Sequence, residues 1–293
     1  MPISKPIKDK IKSLKKDFDA LKKGKESLLA MIDETEIPEA IYNSNAIENS
    51  TLTLKETEKI LLDMEISRNI SVREVFEAKN LSRVIEYIRE NSKGKEINID
   101  TIILLHQMLI GNIDDKIAGR FRRKGEYVRV GTHVAPAPEY IHKMVDSILS
   151  EYNGDLTNYF LDKIVKFHLD FEHIHPFNDG NGRIGRILIC LQLLDLGFPM
   201  IIIRNKGKQK YYDAFREYDF GGKTKRMEKI MTLALIESLH KRITYLKGDK
   251  IITVSEYSKK NNKNLSNLLN SAKRQTIPAF RERGGWRISE KFK

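Results

Sequence analysis

Cysteine is nearly missing from this chain. Cys190 is the only one in 293 residues, so no intramolecular disulfide can form, which fits a reducing compartment. It sits in an apolar run and reads as core. Long hydrophobic runs are also missing: none approaches the ~20 residues needed to cross a bilayer. The lysine-rich stretch from Met1 to Gly24 lacks the apolar centre of a secretory signal. Together these absences predict a soluble, cytoplasmic protein with no membrane partner. No Walker-type Gly-Lys-Ser/Thr loop occurs, which argues against a P-loop ATPase. No His-Glu-x-x-His pattern occurs either, and His173 and His175 point to different faces of any helix. Zinc held by His168, Glu172, His173 and His175 is therefore not expected.

Length and positive charge are what the chain does have. At 293 residues it can hold one large domain or two to three smaller ones around a substantial core. Its 52 Lys/Arg against 40 Asp/Glu give a net charge of +12. That balance fits an acidic partner such as nucleotide or nucleic acid, and equally a basic host proteome.

The densest chemistry lies between His168 and Arg186. An apolar-periodic segment from Tyr159 to Ile174 reads as a helix. Pro176 and Gly180-Asn181-Gly182 forbid its simple continuation. A second apolar segment, Ile184 to Leu196, reads as the next helix. Loop N–H groups at its start point outward with positive partial charge, a ready anion site. Arg183 and Arg186, three apart in the first turn, can face the same anion. A base, an acid, an amide, glycines and two cations converge here, which predicts a phosphate site with a histidine at its rim.

The pattern His-x-Phe-x-Asp-Gly-Asn-Gly-Arg-x-x-Arg, met at His175, Phe177, Asp179, Gly180, Asn181, Gly182, Arg183 and Arg186, resembles that of the Fic family of nucleotide transferases. The resemblance implies a mainly α fold, a helical Fic core with a β-hairpin flap. It also implies transfer of AMP from ATP to a hydroxyl of a target protein, with pyrophosphate leaving and self-modification among the reactions. His175 would then be the general base. Asp179 would hold Mg2+. Asn181 and the N–H groups of the loop through Gly180 and Gly182 would meet the α-phosphate. Arg183 and Arg186 would clamp the β- and γ-phosphates. The implied ATP contacts extend to Ile184 and Gly185, to Val130, Gly131, Thr132 and His133 on the flap, and to Tyr211, Tyr212 and Asp219 around adenine. The family commonly reads Gly-Asp after that last segment, where this chain has Gly221-Gly222.

Ser44, Glu48 and Asn49 carry a second resemblance, to the family's inhibitory signature of Ser or Thr, three residues, Glu, then Gly or Asn. Family members with this segment ahead of the core hold the glutamate against the second motif arginine, here Arg186. The implied state is an autoinhibited enzyme with an N-terminal inhibitory helix.

Taken in order, residues 1–35 place Ile7, Ile11, Leu14, Phe18 and Leu21 at helical spacing with a basic face. Thr53 to Glu56 reads as a capping box opening a helix through Leu62. Residues 71–91 read as a helix, Ser92 to Lys95 as a break, and Asn98 as the start of another helix through Ile110, with His106 a packed residue. Tyr127 to Val130 alternates as a short strand of the flap. Pro199 to Ile203 fits a strand or a buried turn, Tyr211 opens a helix, and Met227 to Tyr245 is a long one. Beyond Gly248-Asp249 the composition turns basic, with ten Lys/Arg against Glu256, Glu282 and Glu290 over residues 251–293. A capping box at Thr253–Glu256, a helix over about Leu265 to Lys273 and a hairpin turned at Gly284-Gly285 resemble a small winged helix-turn-helix module of excisionase type. Such a module binds DNA phosphates or serves docking.

The expected organisation is an N-terminal helical region (1–95) carrying the inhibitory segment, a catalytic core (96–247) and the basic module (248–293). Two rival functions stay open. One is removal of AMP from modified protein with Glu48 orienting water. The other is a DNA-binding regulator acting through residues 250–293, with the core as nucleotide sensor. The sequence leaves the target protein unnamed and leaves room for a homodimer.

Overall fold

The computed structural model describes residues 3–63, 70–94 and 96–292. Lys95 of the expected break and Lys293 of the basic tail lie outside them. The chain is mainly helical, as the motif resemblance implies. Where one helix is expected over residues 1–35, two are found: α1 (Lys5–Lys22) and α2 (Glu26–Ile47). Gly24, with φ of 72°, breaks the run between them. Ile11 and Phe18 of α1 are buried, and the helix lies along the last long helix of the core.

The capping box at Thr53 and Glu56 is present and opens α3 (Leu54–Glu58), which runs on as a π-helical turn over Lys59–Asp63. Ser71 caps α4 (Val72–Asn91) and Asn98 caps α5 (Ile99–Ile110), each accepting a backbone N–H of the first turn. The flap follows as β1 (Arg129–Val130) and β2 (His133–Val134), with Arg129 opposite Val134 and Val130 opposite His133. It is shorter than the Tyr127–Val130 strand expected. Next come α6 (Ile141–Gly154), α7 (Phe160–Ile174) and α8 (Asn181–Asp195), then α9 (Lys208–Gly221) and α10 (Lys225–Leu246). The segment around Met200 to Ile203 is buried and extended without strand pairing.

Two hydrophobic cores share α7 and α8. Phe167, Phe171, Ile184, Ile187 and Leu188 face one, with α2, α4, α5 and α6. Leu161, Ile164, Val165, Leu169, Ile189 and Leu193 face the other, with α1, α9 and α10. A helix buried on both sides must be apolar nearly all round, which is why Ile184 to Leu193 shows no polar face. The loop joining α7 to α8 is thereby held from both sides.

After Gly248 (φ 68°) the chain forms β3 (Ile251–Thr253), α11 (Val254–Lys260), α12 (Leu265–Lys273), β4 (Phe280–Glu282) and β5 (Gly285–Ser289), with β5 between β3 and β4. Glu282 pairs with Gly285, so the hairpin turns at Arg283-Gly284 rather than at the two glycines. Both turn residues have positive φ, 49° and 79°, as a two-residue hairpin loop of primed type requires. The module has its own small core of Val254, Tyr257, Leu268, Ala272, Ala279 and Ile288. It is docked on α10: Gln275 bonds buried His240 at 2.8 Å, and Glu282 accepts from the Tyr245 hydroxyl at 2.6 Å.

α2 is tied to α10 by charge. Arg242 is fully buried and meets Asp33 at 2.6 Å and Glu36 at 2.6 Å, while Lys241 reaches Glu36 at 3.0 Å. Burial alone would raise the Glu36 carboxyl, but Arg242 and Lys241 outweigh it and hold the group below its ordinary value. Removing this cation would take from Asp33 its charge partner and leave buried Glu36 with Lys241 alone. Arg242→Ala should therefore cost about 3–5 kcal/mol of unfolding free energy, read as a lower urea midpoint. A change under about 1 kcal/mol would show that water already reaches this node.

Candidate active site

α7 ends on His175, whose φ of 48° places it in the left-handed region rarely used by residues with a Cβ. Its own N–H still closes the helix on the Phe171 carbonyl at 3.0 Å. The carbonyls around it are gathered by Arg122, which is buried. Arg122 donates to the His175 and Pro136 carbonyls at 2.9 Å and to Ile174 at 3.3 Å, and its N–H bonds Pro176 at 2.9 Å. One guanidinium thus welds the base of the flap to the helix end, and this over-determination sustains the unusual backbone. The His175 ring donates weakly from Nδ1 to the Glu172 carbonyl at 3.4 Å, which leaves Nε2 as its free lone pair. Burial pulls the ring down to about 4, so it is neutral near pH 7 and able to accept a proton.

The loop from Phe177 to Asn181 is braced from inside. Asn181 is buried, and its side-chain amide accepts from the Phe177 N–H and donates to the Phe177 carbonyl, both at 2.8 Å. Its side chain is spent on the loop, so what it can offer an anion is its backbone N–H. His106, the packed residue of α5, stacks on Phe177 with centroids 3.7 Å apart. Its Nδ1 accepts from the Gly119 N–H at 3.0 Å, so Nε2 carries the hydrogen and donates to the Asp179 carbonyl at 3.0 Å. Gly180 needs its φ of 81°, and a Cβ there would press on Leu109 and Ile110.

α8 begins at Asn181, three residues earlier than expected, so Gly182 and Arg183 lie in its first turn with unpaired N–H groups. Arg186 falls one turn further in. The two arginines do not share one anion here. Arg183 is buried and meets Asp179 and Glu77, each at 3.1 Å. Arg186 turns to α2, donating to Ser44 Oγ at 3.0 Å, to the Ser44 carbonyl at 2.9 Å and to Glu48 at 2.8 Å. Glu48 Oε1 lies in the space above Gly182, where an added Cβ would stand only 2.3 Å away. A carboxylate oxygen therefore fills the cradle that glycine leaves open at the helix N-terminus. Arg186 Nη1 and Arg183 Nε, both buried, have no hydrogen-bond partner. The end of α2 is fastened further by Tyr212, whose hydroxyl donates to the Ile47 carbonyl at 2.6 Å, and by Lys208 on Asn49 at 3.0 Å.

Asp179 accepts from its neighbour's N–H at 2.6 Å and pairs with Arg73 as well as Arg183. Burial would raise its carboxyl, but the two arginines prevail and hold it below the ordinary range. It is an ionised, part-exposed oxygen donor, the kind a hard cation takes together with phosphate oxygens. The residues thus fit Mg2+, with Arg73 the partner that must give way.

The other positions assigned by resemblance fall into two groups. Val130, Gly131, Thr132 and His133 form the flap tip, and His133 reaches Asp219 and His173 on the far side of the His175 turn. Tyr212 lines the α2 end. Tyr211 is fully buried, its hydroxyl on His168 at 2.7 Å. Ile184 is core, and Gly185 makes room for Glu172 and His168. Arg122, Arg73 and Glu77 were not legible as site residues, because an isolated charge looks the same on any solvated segment until its partners are known.

Residues 96–193 match the family model described as Fic/DOC family. The chain is 34% identical over 187 residues to "Protein adenylyltransferase Fic" of Nematostella vectensis, covering 62% of this chain and 43% of that protein. It is 36% identical over 179 residues to the protein of the same name from Drosophila willistoni, covering 59% and 35%. The chain thus spans less than half the length of these relatives. Among solved structures, a Fic domain containing signaling protein from Bacteroides thetaiotaomicron superposes with a TM-score of 0.72 at 26% identity, covering 82% of this chain and 97% of that one. Fic-1 from C. elegans gives 0.70 at 25%, covering 82% and 73%.

Beneath the cradle, Glu172 Oε1 is buried and unpartnered. Burial first, then the nearby Glu48 charge, push its carboxyl up to about 8 against the pull of Arg186. The folded protein therefore keeps a proton that the unfolded chain releases near 4.5, so this group costs stability as pH rises from about 4.5 to about 8. Glu172→Gln, which mimics the protonated acid, should stabilise the protein by about 1–3 kcal/mol at pH 8 and by almost nothing at pH 4. Melting curves at both pH values test this; equal effects at the two would place the carboxyl's titration outside that window.

Proposed function

We propose that this chain, which carries a Fic domain over residues 96–193, transfers AMP from ATP to a hydroxyl of a protein and is held inactive by Glu48. The observation that carries the reading is the cradle over Gly182, with His175 at its rim and the Glu48 carboxylate against Arg186 inside it. An anion already sits where a nucleotide phosphate would go.

With Glu48 withdrawn, Arg186 would be free for the γ-phosphate, and its unpartnered Nη1 supports that role. Arg183, held by Asp179 and Glu77, would face the β-phosphate with its spare Nε. The N–H groups of Asn181, Gly182 and Arg183 would meet charge developing at the α-phosphate. Asp179 would hold Mg2+, which would offset the negative charge of the phosphates. His175 Nε2 would take the proton of the incoming hydroxyl. The new bond from that oxygen to the α-phosphorus forms as the bond to the leaving pyrophosphate breaks. The exposed two-stranded flap supports a role in aligning the target backbone beside His175. For residues 250–293 the contacts with α10 support a docking role over DNA binding.

Two substitutions test this. His175→Ala should lower AMP transfer by about 10²–10⁴-fold while leaving the melting curve close to wild type, measured with labelled ATP and mass spectrometry of the products. Retention of transfer within a few-fold would remove His175 from the chemistry. Glu48→Gly should raise transfer at least about tenfold, equivalent to about 1.4 kcal/mol of lost restraint. An unchanged rate with ATP and Mg2+ would sink the autoinhibition. Loss of AMP release from a pre-modified target would instead assign Glu48 to the reverse reaction.

A further inference from the structure

His133, His173 and Asp219 come from three separate elements, the flap strand β2, the last turn of α7 and the end of α9. Their donor atoms all lie within 4.8 Å of one another. His173 Nδ1 is 2.8 Å from Asp219 Oδ1, and His133 Nδ1 is 4.0 Å from Asp219 Oδ2. We propose that these three side chains form a site for a divalent transition-metal ion of the Zn2+ class, which clips the flap to the helices beneath it.

The orientation of His133 supports this independently of proximity. Its Nε2 lies 2.8 Å from the His173 carbonyl, which can only accept, so Nε2 carries the hydrogen. Nδ1 is then the bare lone pair, and it is the atom facing Asp219. A ligating imidazole characteristically gives its other N–H to a carbonyl or carboxylate, which fixes tautomer and ring plane. The His173 ring packs against His133 with centroids 4.4 Å apart, holding its own Nδ1 toward the same point. That nitrogen faces a carboxylate, so it carries a hydrogen, and binding the cation there moves that hydrogen to Nε2, the ring staying neutral.

The donor set selects the metal. Two imidazoles and one carboxylate suit Zn2+, Co2+ or Ni2+, whereas Mg2+ prefers oxygen throughout. A cation about 2.1 Å from each donor needs them roughly 3.4 Å apart in tetrahedral geometry, so the flap has to close by only about 1–1.5 Å while the His173–Asp219 pair opens from 2.8 Å. Three protein ligands leave a fourth position for water or an incoming group. The site is distinct from Asp179, which belongs to the α8 end of the loop, and it does not depend on the nucleotide reading because its readout is metal binding by the free protein.

The full chain, without nucleotide or Mg2+, is titrated with Zn2+ by calorimetry, and with Co2+ by visible absorption. About one equivalent should bind, with Co2+ bands of a low-symmetry nitrogen and oxygen site, and excess Mg2+ should not displace it. His133→Ala, His173→Ala and Asp219→Asn should each weaken binding at least about tenfold. His142→Ala, on an exposed residue away from the cluster, should not. Bound Zn2+ should also raise the melting midpoint of wild type but not of the three variants. Melting curves without metal identify any variant that fails to fold, and Asp219→Asn, which keeps size and hydrogen bonding, then carries the test. Tight Zn2+ binding that survives all three substitutions, or that His142→Ala removes equally, would overturn the site, as would no binding by the folded wild-type chain.

Discussion

The contact between Arg186 and Glu48 is the constraint on which the site depends. Arg186 is buried on α8, and its guanidinium bonds are made to α2 rather than to side chains of its own helix. A buried cation has to be paired, and α2 supplies Ser44 and Glu48 for that purpose. The same logic repeats along α2, where Asp33 and Glu36 meet Arg242 and Glu39 meets Arg204. An acidic helix is thus laid against a row of arginines on the core. Only its last contact enters the cradle, and Glu48 is the most exposed acid of the series. The inner pairs hold the helix in place, and the outermost pair is the one whose acid water reaches most.

Around His175 the polar groups are arranged so that little is left to chance. Arg122 collects carbonyls, Asn181 closes the loop on itself and His106 supports Asp179 from behind. These buried bonds leave few alternatives for the loop backbone, because breaking any one would strand a polar group away from water. Arg186 Nη1 and Arg183 Nε are left without partners at the cradle, donors that an anion there can use.

The flap meets this rigid base at two points of different character. At its root Arg122 fixes it to the end of α7, and the bidentate Arg120–Glu126 pair braces the loop that leads into it. At its tip, among the described residues, His133 reaches across to His173 and Asp219. A two-residue strand pair has little stability by itself, so its position is set by these anchors.

Much of the site was legible from sequence because its parts are contiguous. The run from His175 to Arg186 carries its own turn chemistry, and both capping boxes, Thr53–Glu56 and Thr253–Glu256, are local hydrogen-bond patterns that four residues specify. The helices α4, α5, α7 and α10 followed from apolar spacing. Elements set by distant partners were not legible. α2 runs through Pro38, which would ordinarily end a helix, because its ion pairs to α8 and α10 outweigh the lost bond. The burial of Tyr211, the inward turn of Asn181 and the separation of Arg183 from Arg186 depend on which neighbours the fold brings up. So do the roles of Arg122 and Glu172, since burial and charge partners create them and neither is a property of the local sequence. The sequence by itself determined the contiguous run that sets His175 beside the glycine turn and the start of α8. The tertiary structure decided that Glu48 meets Arg186 above Gly182, because the two lie far apart in the chain and come together only when α2 packs on α8.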